Sequence, residues 1–113
     1  MKAIYFDGKK AFFTEEYPKP TPMLEKGESL IRILISAVCN TDKEILKGYK
    51  PDFKGVMGHE FVGIVEDSHD KTLLGKRVVG ELNDGCGHCL YCQTARQKHC
   101  SDRRCIGISK ADG

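Results

Sequence analysis

The sequence predicts a mainly β domain. Three observations lead there: short apolar segments recur between turn signals, only one segment carries helix start and stop signals, and the one dense cysteine run reads as a metal-binding loop. The chain has 113 residues, enough for one core and too few for a second domain of ordinary size. Its net charge of +2 gives no bulk electrostatic reason to expect nucleic acid or an anionic membrane surface as a partner. The longest apolar run, positions 33–39, is far below the roughly 18 residues that span a bilayer.

In order along the chain, Met1 to Phe6 reads as a strand, Asp7-Gly8 as a hairpin turn, and Ala11 to Tyr17 as the returning strand. Pro18, Pro20 and Pro22 then forbid further pairing and make a stiff connector. Ser29 to Cys39, rich in Ile, Leu and Val, predicts a largely buried strand with Cys39 at its end. Thr41-x-x-Glu44 reads as a capping box, Ile45 and Leu46 as the apolar edge of a short helix, and Gly48 as its left-handed stop. Phe61 to Glu66 and Lys76 to Glu81 are two more strands, separated by the polar stretch Asp67 to Lys71. Many short strands with so little helix imply a barrel or a sandwich.

The loop Cys86-x-x-Cys89-x-x-Cys92-x7-Cys100 brings four thiolates close enough to share one zinc ion, whose Zn–S bonds are about 2.3 Å. Gly85 and Gly87 relieve the turns this requires. A disulfide cluster is the competing reading. The opening Met1-Lys2-Ala3-Ile4 has no apolar leader, which favours a reducing cytoplasm and hence zinc.

Cys39 and His59 each stand at a strand edge, where a barrel could bring them to one metal ion. Taken alone, a cysteine ending an apolar strand is more often filler and a single histidine more often a hydrogen-bonded bystander. His88 and His99 lie inside the cysteine loop and are expected to face solvent, because four thiolates already complete a closed site. Cys105 reads as a small buried hydrophobe. Arg96, Lys98, Arg103 and Arg104 read as a solvated basic face, and Tyr49 and Phe53 either line a pocket beside Cys39 and His59 or pack into the core.

Three segments in this order, Cys39-Asn40-Thr41-Asp42, Gly58-His59-Glu60-Phe61-Val62-Gly63 and Gly85-Cys86-Gly87-His88-Cys89-x-x-Cys92-x7-Cys100, resemble the zinc-dependent medium-chain dehydrogenase/reductase family of alcohol and polyol dehydrogenases. Met1-Lys2-Ala3 and Gly75-Lys76-Arg77-Val78 are similar to further family segments, so the likeness spans nearly the whole chain. It implies a GroES-like, partly open β-barrel over residues 1–113, with a structural zinc lobe at about 82–105 projecting from it. It also implies a catalytic zinc held by Cys39 and His59, with Thr41 at the start of a proton relay, Asp42 on the far ring nitrogen of His59, and Glu60 as a carboxylate near the metal. The expected activity is hydride transfer between an alcohol or polyol and NAD or NADP in a homodimeric or homotetrameric full-length enzyme. No Gly-x-Gly-x-x-Gly follows a strand here, so the reading is of a truncated catalytic domain without its Rossmann partner, inactive alone. Two other classes compete: a zinc-stabilised barrel serving as an assembly module, and a zinc module for nucleic acid.

Overall fold

The computed structural model describes residues 1–22 and 27–113. β1 (Ala3–Phe6) and β2 (Ala11–Thr14) pair antiparallel with Phe6 opposite Ala11. Asp7 builds the turn between them, its Oδ1 accepting the amides of Lys9 at 2.8 Å and Lys10 at 2.9 Å. Those amides, Lys10 first, hold its carboxyl below the usual carboxylate range. The returning strand ends at Thr14, short of the expected Tyr17, although the Tyr17 amide still donates to the Met1 carbonyl at 3.0 Å.

β3 (Ser29–Ala37) and β5 (Glu60–Ser68) form the longest antiparallel pair, and β6 (Arg77–Val79) joins the far side of β5. The short β4 (Gly55–Val56) adds instead to β1, giving sheets of order β2-β1-β4 and β3-β5-β6. β5 runs into the stretch expected to be a polar separator, because Ser68 is buried and its hydroxyl meets that of Ser29 at 2.8 Å. The expectation of a largely buried β3 is corrected. Its residues from Arg32 onward are exposed, Ile35 at 68%, and Val79 in the same cross-strand row is 73% exposed. Apolar content specified the strand, but β3 is an edge of its sheet and no described element covers that row.

α1 (Asn40–Leu46) follows β3 as expected, but its cap is Cys39 and not Thr41. The box is closed by Asp42, whose Oδ2 accepts the Cys39 amide at 2.8 Å. Gly48, at φ +95°, stops the helix: its amide donates to the Ile45 carbonyl at 2.9 Å and that of Tyr49 to Glu44 at 3.0 Å, the paired bonds of a Schellman motif.

A third sheet, β7 (Asn83–Asp84), β8 (Arg104–Ile106) and β9 (Lys110–Ala111), carries the cysteine loop on α2 (Leu90–Gln93) and a short 3-10 turn, Gln97–His99. The core joins the first sheet, α1 and the third sheet: Phe6, Ile45, Phe53, Cys105 and Ile108 are buried together, with the Phe6 and Phe53 rings stacked at 6.3 Å. The three small sheets stay open toward one another, which agrees with the mainly β, partly open architecture expected. No helix is long and apolar enough to cross a membrane.

Two contacts hold the lobe and the chain's last residues against the rest. Gly107, at φ +62°, lies so close to Gly58 that a Cβ there would sit 2.7 Å from the Gly58 carbonyl carbon and 2.8 Å from its nitrogen. Backbone cannot swing aside as a side chain can, so Gly107→Ala is expected to lower the unfolding free energy by about 3 kcal/mol, read from the urea midpoint. Asp112 accepts the Val56 amide at 3.0 Å and the Tyr17 hydroxyl at 2.9 Å. The hydrogen bond to Asp112, then burial, raises the Tyr17 pKa above its usual value near 10. A raised pKa means the contact contributes fully below pH 10 and is lost as pH climbs through the folded-state value. One of the four tyrosines should therefore ionise after the others in an absorbance titration, and Tyr17→Phe should abolish that late step.

Candidate functional site

Local structure places each cysteine of the loop differently. Cys86 follows β7, Cys89 caps α2 with extended backbone (φ −75°, ψ 164°), Cys92 lies within α2, and Cys100 closes the 3-10 turn. Gly85 matters for space: a Cβ there would lie 2.6 Å from the Cys92 sulfur. The four sulfurs lie within 4.8 Å of one another, Cys86 and Cys92 at 4.0 Å. Tetrahedral zinc with 2.3 Å bonds spaces its sulfurs by about 3.8 Å, whereas a disulfide needs about 2 Å. None of the six cysteines is joined in a disulfide.

Electrostatics favours a cation at this point. The amides of His88 and then Cys89 pull the Cys86 thiol down to about 6. Cys92 is drawn down by the Gly87 amide, but burial and its contacts with Cys89, Cys100 and Cys86 outweigh that and push it up to about 12. Four thiols this close cannot all ionise against one another without a positive charge among them, so the donor set fits zinc.

A second group forms where α1 meets β5. The sulfur of Cys39, a ring nitrogen of His59 and a carboxylate oxygen of Glu60 lie within 4.8 Å of one another. β3 delivers Cys39 to the head of α1, and pairing of β3 with β5 sets Ala37 opposite Glu60, so residues 20 positions apart converge. Asp42 is 6% exposed and His59 8% exposed. One Asp42 oxygen holds the α1 cap; the other faces His59 Nδ1 at 3.5 Å. That oxygen and that nitrogen are both buried without a hydrogen-bond partner, so each has only the other to face. With Nδ1 turned to a carboxylate, Nε2 is left for a metal, and the donor chemistry of sulfur, imidazole and carboxylate fits zinc. The Thr41 hydroxyl is 3.7 Å from the Cys39 sulfur.

Other expectations divide. His88 and His99 are exposed, as read, His99 against the Tyr91 ring at 5.8 Å. Cys105 is buried. Phe53 is turned into the core and Tyr49 is 62% exposed, so they do not form a shared pocket wall. The basic face is solvated and partly paired: Arg104 meets Asp84 and Glu28, and Arg96 lies over Tyr91. Asp42 serves in both places open to it, facing the His59 ring and closing the α1 cap.

Residues 25–113 match the family model described as the alcohol dehydrogenase GroES-like domain. An acryloyl-coenzyme A reductase of Sulfurisphaera tokodaii is 36% identical over 97% of this chain and 34% of its own length. An alcohol dehydrogenase of Geobacillus stearothermophilus is 33% identical over 92% of this chain and 35% of its own. Among solved structures, a putative zinc-binding dehydrogenase of Sinorhizobium meliloti bound to NADP superposes with a TM-score of 0.81 at 29% identity, covering 99% of this chain and 33% of that one. The chain spans about a third of the length of these relatives. On the matched residues and the shared architecture, it belongs to the medium-chain dehydrogenase/reductase family, as an alcohol dehydrogenase GroES-like domain.

Proposed function

We propose that this chain is the catalytic-domain part of a zinc-dependent alcohol or polyol dehydrogenase linked to NAD or NADP. The observation that carries the reading is the convergence of Cys39, His59 and Glu60, apart from the four-cysteine cluster. In this reading Cys39, His59 and Glu60 hold the catalytic ion, and Cys86, Cys89, Cys92 and Cys100 hold a structural one. Zinc at the first site supplies Lewis acidity that lowers the pKa of an alcohol oxygen.

The chain's own residues do the rest. Asp42 fixes the His59 ring by facing Nδ1, which keeps Nε2 directed at the metal. The Thr41 hydroxyl, half-buried beside the Cys39 sulfur, receives the alcohol proton and passes it outward. A cluster of four thiols spaced for a metal ion favours a reducing compartment such as the cytoplasm.

The test is alcohol oxidation by a protein that carries these residues together with a nicotinamide-binding domain. Thr41→Val is expected to cut kcat by about 10²-fold while zinc content stays the same. An unchanged kcat across the pH range would remove Thr41 from the proton path.

A further inference from the structure

Both halves of the Cys39 and His59 pair rest on one turn at the base of the lobe. β8 leads out of the cysteine loop, the Arg103 amide just before it donating to the Cys100 carbonyl at 3.3 Å and its own Ile106 amide to the Leu82 carbonyl at 3.2 Å. The chain then turns through Gly107 and Lys110, each with a left-handed backbone at φ +62°. The turn closes on itself: the Cys105 amide donates to the Ser109 carbonyl at 2.8 Å, and the Gly107 amide to that of Ala111 at 3.1 Å. Those bonds tie it to β8, so it follows wherever β8 goes.

One side of the turn meets the residue before His59. Gly107 packs on the Gly58 peptide too closely to leave room for a Cβ. Gly58, at φ +112°, directs the chain into β5, so any shift of its peptide swings the His59 ring. The other side of the turn meets α1. Cys105 and Ile108 are buried together with Ile45, which lies three residues beyond Asp42. α1 carries Cys39 at its cap and Asp42 against His59. The segment that supplies the imidazole and the helix that supplies the thiolate are thus seated on the same four residues, 105–108.

We propose that residues 105–108 couple the two metal sites, so that an ordered lobe raises the affinity of the Cys39 and His59 site for its ion, with Gly107 and Ile108 as positioning residues. The inference rests on the reading that both sites bind metal. Coupling of this kind is reciprocal: filling either site raises the affinity of the other by the same factor. The test is zinc titration of the chain in a chelator buffer, with the amide shifts of residues 58–60 and 86–100 reporting the two sites separately. Cys100→Ser should weaken zinc binding at the Cys39 and His59 site about tenfold, and Cys39→Ser should weaken binding at the cluster by the same factor.

With the cluster loaded, Gly107→Ala should lower affinity at the Cys39 and His59 site about tenfold, and the milder Ile108→Val, which removes one methylene and keeps the fold, should lower it a few-fold. Val65→Ala, a buried change further along β5, should cost stability and leave both affinities unaltered. Equal zinc affinity at the Cys39 and His59 site in Cys100→Ser and the unaltered chain, or losses in Val65→Ala that match those of the two turn variants, would overturn the inference alone. No zinc-dependent shift at residues 58–60 in the unaltered chain would overturn it together with the reading it rests on.

Discussion

Cys100→Ser is expected to release the lobe's metal and unfold residues 83–106 while the β3–β5 pair stays folded. Between positions 83 and 106 only Cys100 and Cys105 are buried, so the lobe has almost no apolar core of its own. Its regular structure amounts to two strands of two and three residues, a single turn of α2 and a 3-10 turn. Segments this short are not stable by themselves, whereas zinc in a four-cysteine site contributes on the order of 10 kcal/mol of binding free energy near neutral pH. Hydrogen exchange reads the outcome. The Arg96 amide, bonded to the Tyr91 carbonyl at 2.7 Å, should lose protection by on the order of 10²-fold or more, and chelation of the unaltered chain should do the same. Protection that survives loss of the metal would show that packing holds the lobe.

Asp42→Asn is expected to weaken metal binding at the Cys39 and His59 site by about 10- to 100-fold with little change in fold stability. An asparagine oxygen can still accept the Cys39 amide, so α1 keeps its cap. It cannot offer a carboxylate to His59 Nδ1, which lies buried with no other partner. Asp42→Ala removes both contacts and should add about 1 kcal/mol of helix destabilisation to the same loss of affinity. Comparing the two separates the carboxylate's effect on the metal from its effect on the helix. Equal zinc affinity in Asp42→Asn and the unaltered chain would mean the buried pair does not position the histidine.

The four-cysteine cluster was legible because its members are local: two-residue spacers bring the sulfurs together whatever the rest of the chain does. The convergence of Cys39 and His59 was not, since it depends on the register between β3 and β5, and only the order of motifs along the chain pointed to it. The cap of α1 was placed two residues late because serine and threonine dominate such positions and cysteine does not. Burial of β3 was misjudged for a different reason: Ile33, Leu34 and Ile35 specify extended backbone, but composition carries no information about what covers a face. β4, β7, β8 and β9, of two or three residues each, are too short to show a period. Nothing local announces the left-handed backbone of Lys110.

Zinc counting on the purified chain and on Cys39→Ser, with folding followed by circular dichroism, tests most directly whether two separate metal centres exist. The account predicts two zinc ions per chain, one after the substitution, and an unchanged β-sheet spectrum in both. A single ion per chain that Cys39→Ser leaves in place would contradict it, and would favour a barrel braced by its lobe with no reactive metal at all.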